Sequence, residues 1–186
     1  MKKVYFLTTN AYKFKKFSEL THSQSILIEQ LSEVTPEIQA KNNREVAEFS
    51  AKWAADKFGL PVIKEDVGMY IEALGGFPGV YLNQIENWIG SEGYLRLLKG
   101  IHNRSAFWEY AIAYCEPDIE PVSFYTYQHG GISTEIKGES GYYADKIFIP
   151  KDCKKTIAEL LDSGTYIRND SHYIEMLSYV EQNADA

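Results

Sequence analysis

Apolar positions along the chain change period several times, and the changes mark out elements. Val4 to Leu7 is a short apolar run ending in Thr8-Thr9-Asn10, after which Phe14, Phe17 and Leu20 recur at helical spacing. This predicts a strand, a turn and a helix, with Asn10 or Thr9 as the N-cap whose side-chain oxygen accepts from the first free N–H groups. Ile26-Leu27-Ile28 reads as a second strand. From Asn43 to Phe58, Val46, Phe49, Ser50, Trp53 and Ala54 form one stripe, and Gly59 stands where a helix stops. Pro61-Val62-Ile63 is a short strand that delivers Lys64-Glu65-Asp66 at its carboxyl end, with Gly68 turning the chain.

Beyond the tight loop Gly75 to Gly79, Trp88 to Ile101 returns to helical spacing. Phe107 to Cys115 and Val122 to Tyr127 alternate as paired strands do, joined through the acidic, proline-bearing stretch Glu116 to Pro121. Glycines at 130, 131, 138 and 141 punctuate the way to a last strand near Ile147 to Ile149. Helices at Thr156 to Leu161 and about Asp170 to Glu181 close the chain. No repeat or low-complexity block interrupts this order, which predicts a mixed α/β sheet flanked by helices. At 186 residues the chain fits one domain, 1–186, or two lobes on one sheet.

Composition narrows the partners. With 19 basic against 26 acidic side chains the net charge is −7, which works against nucleic-acid binding by phosphate neutralisation, so a polyanionic ligand must meet a local cationic site. Cys115 and Cys153 form no metal or disulfide pattern, and a reducing cytoplasm is the default. The apolar run Val4 to Leu7 is far too short to cross a membrane or serve as a signal segment.

Five stretches could carry chemistry. Thr8 to Lys13 lies at a strand-to-helix turn, where free N–H groups, the positive helix end and the Lys13 charge favour an anion. A capped helix with solvated lysines accounts for the same residues equally well. Glu65 and Asp66 could hold a magnesium ion or activate a water. Successive strand side chains point to opposite faces, so at most one of the two is the base. Lys52 lies four residues after Glu48, which predicts an ordinary ion pair. Ser171-His172 could meet a phosphate at the start of the last helix, or Asp170 or Ser171 could simply cap it. Tyr142 and Tyr143 precede Asp145 after a glycine-rich turn, an arrangement suited to a stacked base whose edge is read by a carboxylate, although a chain with 14 tyrosines places some in loops by chance.

Taken in order, these segments resemble the inosine triphosphate pyrophosphatase (Ham1-type) family nearly end to end. Thr8, Asn10 and Lys13 match its T-x-N-x-x-K turn, Pro36-Glu37-Ile38-Gln39 its P-E-x-Q segment, and Glu65-Asp66 its E-D-S-G turn, with Val67 departing from it. Ala73 to Tyr81 is close to the family's A-L-x-G-x-P-G-V-Y.

The resemblance implies that Thr8, Asn10, Lys13 and Lys52 hold phosphates, that Glu37 and Asp66 bind Mg2+, and that Asp66 is general base or metal ligand. It further implies that Tyr142, Asp145, Ser171 and His172 bind the nucleoside triphosphate, which a water cuts at the α-phosphorus to the monophosphate and pyrophosphate. An elongated two-lobed α/β fold with the active cleft between the lobes, and a homodimer, belong to the same expectation.

Departures gather at the nucleoside end. Gly141-Tyr142-Tyr143-Ala144-Asp145-Lys146 stands where the family has G-F-G-Y/W-D-P, and Ile167 with Ser171-His172-Tyr173 where it has K-x-x-x-S-H-R. The phosphate half is therefore expected intact and the base half altered, which leaves open a changed base preference or a nucleotide-binding protein with little turnover.

Overall fold

The computed structural model describes residues 1–20 and 26–183. Its elements are β1 (Lys2–Leu7), α1 (Ala11–Leu20), β2 (Ile26–Leu31), α2 (Asn43–Phe58), β3 (Val62–Ile71), a 3-10 turn (Glu72–Leu74), β4 (Pro78–Gly79), α3 (Leu82–Leu97), β5 (Ser105–Cys115), β6 (Val122–Ile132), β7 (Phe148–Pro150), α4 (Ile157–Asp162) and α5 (Ser171–Gln182). Together they make the mixed α/β sheet with flanking helices that the pattern predicts. The sheet has seven strands in the order β2-β1-β3-β5-β6-β7, with β4 beside β3. β1 runs parallel to both β2 and β3, while β4 and β7 are antiparallel to their neighbours. Among the described residues no helix is long and apolar enough to cross a membrane.

The chain divides into two compact units, one of Met1–Asp66, Tyr110–Thr126 and Asp170–Ala186, the other of Val67–Glu109 and Tyr127–Asn169. In the first unit, strand alternation sorts the core into two layers. Val4, Phe6, Ile63, Ile112 and Tyr114 pack with Phe17 of α1 and with Tyr173, Met176 and Val180 of α5. Leu7, Val62, Ala111, Ala113 and Cys115 face the other way, against Ala47, Ala51, Ala54 and Ala55 of α2. The buried stripe of α2 is thus made of alanines, and Phe49, which the spacing assigned to it, is 38% exposed. Small side chains let the helix lie close to the sheet, and Gly59 ends it at φ 66° with its N–H on the Ala55 carbonyl.

In the second unit Tyr94, Leu98, Met69, Ile71, Ile147 and Phe148 are buried. The Arg104 guanidinium binds the carbonyls of Ile132 at 2.6 Å and Ser133 at 2.5 Å.

Three local expectations change here. Gly68 does not turn the chain: β3 continues to Ile71 because Met69 and Tyr70 pair with Gly79 and Pro78, and the turn comes at Gly75, φ 64°. The third helix starts at Leu82 and ends at Leu97, and it breaks at Gly90 (φ 60°, ψ −173°). Gly130 and Gly131 lie inside β6; a Cβ on Gly130 would stand 2.2 Å from the Ile149 carbonyl oxygen, so the glycine permits close approach of β7.

Candidate functional site

The first unit builds its polar cluster where β1 and β3 run side by side, with Phe6 opposite Ile63. Beyond Leu7 the Thr8 hydroxyl accepts from the Asn10 N–H at 3.1 Å, and the Asn10 side chain accepts from the Lys13 N–H at 3.1 Å. Asn10 is therefore the N-cap of α1. The loop is tied down on its other side by Gln30, whose amide donates to the Thr8 carbonyl at 2.8 Å.

On β3 the two acids part as strand alternation requires. Glu65 points to the α1 and α5 layer and is 5% exposed. It accepts from the Tyr173 hydroxyl, lies 3.2 Å from the Lys13 ammonium, and has His172 Nε2 at 4.0 Å. Asp66 points to the α2 layer, where Asn43 Nδ2 donates to its Oδ2 at 2.6 Å. Burial pushes the Asp66 carboxyl up to about 6 against the pull of Asn43, Lys13 and Lys64. Lys64, two residues earlier on the same strand face, has its ammonium pulled below the usual lysine range by burial, with Asp66, Glu37 and Glu65 opposing.

One unit thus brings together Thr8, Asn10, Lys13, Asp66 and, through its charge acting on Lys64, Glu37. Lys52 does not join them. Its ammonium binds Asp56 at 2.8 Å, one turn further along α2, instead of the expected Glu48, whose carboxylate accepts from Ser123. Asp56 also accepts from the Asp118 N–H at 3.1 Å, which fixes it as the partner. Lys52 lies nine residues along α2 from Asn43, roughly 13 Å at 1.5 Å per residue.

Ser171 and His172 open α5, whose N-cap Asp170 makes no side-chain cap bond; the Ser171 hydroxyl is 2.6 Å from that of Thr126. His172 is fully buried, stacked on Tyr110 with ring centroids 5.9 Å apart, so it braces Glu65 from within the core instead of facing solvent. Tyr173→Phe removes only the hydroxyl from this buried carboxylate. It is expected to cost about 2 kcal/mol, seen as a lower urea midpoint with an unchanged slope; an unchanged midpoint would mean that the bond is not stabilising.

In the second unit the Gly141 to Asp145 loop is held by its own acid. Asp145 Oδ2 accepts from the Tyr142 N–H at 2.8 Å, and the Asp145 carbonyl accepts from the Ala158 N–H at 3.0 Å. Gly141 (φ 82°) is required here because a Cβ would fall 2.5 Å from that carboxylate. Burial pushes Asp145 up to about 6. Tyr142 and Tyr143 are 56% and 47% exposed, whereas Ala144 is fully buried, its N–H directed at Glu86 Oε2 at 3.4 Å.

Asn43 and Glu86 carry parts of these arrangements that the motifs do not name, and Tyr173, which the S-H-R motif position covers, binds Glu65. Among the described residues no three His, Cys, Asp or Glu side chains are grouped to hold a metal by themselves.

Residues 4–164 match the model of the Ham1 family. A dITP/XTP pyrophosphatase of Methanopyrus kandleri is 40% identical over 158 residues, 85% of this chain and 84% of its own. One of Thermococcus kodakarensis, with the same name, is 38% identical over 83% of each chain. A solved structure of a Ham1 protein from Coxiella burnetii superposes with a TM-score of 0.83 at 25% identity, covering 98% of this chain and 100% of its own. The Ham1 protein of Staphylococcus aureus gives 0.82 at 24% identity, over 99% and 100%.

Proposed function

Because the chain belongs to the Ham1 family, we propose that it is a nucleoside triphosphate pyrophosphatase acting on deaminated purine nucleotides of the dITP and XTP kind, and that Thr8, Asn10, Lys13 and Asp66 carry the reaction. The observation that supports this most is the grouping of a capped, lysine-bearing helix start with a burial-raised carboxylate in one unit, at the end of two parallel strands. Free N–H groups and a cation at such a place suit a phosphate, and strand ends of this kind are where α/β sheets bind ligands.

In this reading a water oxygen forms a bond to the α-phosphorus as the bridge to the β-phosphate breaks, and pyrophosphate leaves with the bonding pair. Asp66 Oδ1, the oxygen opposite the one that Asn43 holds, either takes the water's proton or holds the cation that activates the water. Lys13, braced by Glu65 and still 37% exposed, meets the phosphate oxygens on its open side.

A divalent cation fits the donor set. Among the described residues Asp66 Oδ1 makes no hydrogen bond, burial leaves the Asp66 charge under-compensated, and Glu37 is exposed close to the same cluster. Hard cations of the Mg2+ type take one or two carboxylates and complete their shell with phosphate and water, so a cage of three side chains is not needed. When bound, Mg2+ would neutralise charge on the phosphate oxygens. The reading carries with it a homodimer and a cytoplasmic setting in which Cys115 and Cys153, both free, stay reduced.

A second reading keeps the chemistry and changes the base. The fully buried Ala144 leaves no aromatic ring where the family has one, and the Tyr173 hydroxyl is committed to Glu65, so it cannot replace the family's arginine at a base. Pyrophosphate release from a panel of ribo- and deoxyribonucleoside triphosphates with Mg2+ separates the two. First rank for the inosine and xanthosine forms is expected; another nucleotide in first place favours the changed base, and no release from any of them refutes the activity.

A further inference from the structure

Among the described residues of the first unit, Lys64 is a partly buried cation whose ammonium has no structural partner. It is partly buried on β3 and two residues before Asp66, so both side chains leave the strand on the α2 side while Glu65 leaves on the other. Among the described residues its ammonium makes neither a hydrogen bond nor an ion pair, although the charges of Asp66, Lys13, Glu37 and Glu65 all act on it. Lys2, Lys3, Lys13 and Lys52 of the same unit each hold a carboxylate at 3.2 Å or closer.

A buried ammonium kept from its counter-ions weakens the fold, and an apolar side chain would fill the same place without that cost. Nor does Lys64 bind Asp66 directly: the hydrogen bond to that carboxylate comes from the amide of Asn43. What compensates such a charge is a ligand with several negative oxygens. Lys52, to which the resemblance gives a phosphate role, binds Asp56 one turn further along α2.

We propose that Lys64 is a substrate ligand, a second cation beside Lys13 that takes up the triphosphate, acting from the Asp66 face of β3 where Lys13 acts from the Glu65 face. The assignment rests on the pyrophosphatase reading for its substrate. It goes beyond that reading in naming the residue and in predicting that function and stability respond to its loss in opposite directions.

The experiment compares the unmodified chain with Lys64→Met, Lys64→Gln and Lys64→Arg. Titration calorimetry measures binding of inorganic tripolyphosphate with Mg2+, and pyrophosphate release gives kcat/KM for the best nucleotide of the panel. In the Met and Gln variants tripolyphosphate affinity and kcat/KM should each fall tenfold or more, while the melting temperature stays level or rises. Arginine, which keeps the charge, should restore affinity to within a few-fold.

Unchanged tripolyphosphate affinity in both neutral variants overturns the assignment. A lower melting temperature with unchanged affinity would make Lys64 a structural counter-ion. If the unmodified chain turns over no nucleotide yet loses tripolyphosphate binding with Lys64, the pyrophosphatase reading fails and the anion site stands. If it turns over nucleotides and the neutral variants do so equally well, the assignment alone fails.

Discussion

Replacing Asp66 by asparagine is expected to slow pyrophosphate release about 10²–10⁴-fold, the range lost with a general base, while the protein stays folded. The geometry separates the two effects. Asn43 donates to Asp66 Oδ2 at 2.6 Å, and a carboxamide can turn its oxygen to the same donor, so the packing on α2 is kept. What disappears is the negative charge and the second basic oxygen, which are needed for taking the water's proton or binding a cation.

Burial already disfavours the ionised carboxyl, lifting it to about 6, so a neutral amide removes an unfavourable term from the folded state. The variant should therefore match or exceed the parent in thermal stability. Binding of metal-free nucleotide should be as tight or tighter, because a like charge facing the phosphates is gone. The measurement is kcat/KM with Mg2+, alongside a melting curve; a rate within a few-fold of the parent would remove Asp66 from the chemistry.

The second large effect concerns pH and lies in the other unit. The Glu86 carboxyl, 6% exposed, is pushed up to about 7 by burial, against the help of the Ala144 N–H and with the nearby Asp145 charge adding to the rise. The unfolded chain ionises near 4.5, so below that pH both states carry the proton and burial costs nothing. Between 4.5 and 7 the unfolded state gives up its proton first, and above 7 the folded state holds a poorly solvated charge.

Stability from this site is thus lost as pH rises, by at most about 3 kcal/mol at 1.36 kcal/mol per unit. In Glu86→Gln the loss is absent. Urea unfolding should give nearly equal stabilities for variant and parent at pH 5 and a clear advantage for the variant at pH 8. An advantage of the same size at both values would place the cause in packing. The same substitution tests the nucleoside loop, because the amide oxygen can still accept from Ala144 while the charge near Asp145 is gone.

Much of the arrangement was written in short stretches of sequence. The Thr8 to Lys13 turn is local: the cap is three residues from the N–H it satisfies, so side-chain chemistry and helix geometry suffice to predict it. The parting of Glu65 and Asp66 follows from the two-residue period of a strand and needed no partner to be known. Errors arose where two local partners were equally spaced. Lys52 has an acid one turn before and one after, and the choice of Asp56 came from Asp118, 62 residues away. Gly68 offered a turn that β3 did not take, since the strand gains ladder bonds from Gly79 and Pro78 by continuing.

By itself, then, the sequence determined the elements, the capped phosphate turn, the opposite faces of the two acids and the family, all properties of neighbouring residues or of residue order. Tertiary structure alone decided which groups hold those acids. Asn43 meets Asp66 across 23 positions and Tyr173 meets Glu65 across 108, through contacts that depend on how α2 and α5 lie against opposite faces of the sheet. It also decided which lysines are used up. A charge has no sequence signature for being paired, because pairing is set by what folding brings within about 4 Å, and that is how Lys52 became occupied and Lys64 did not.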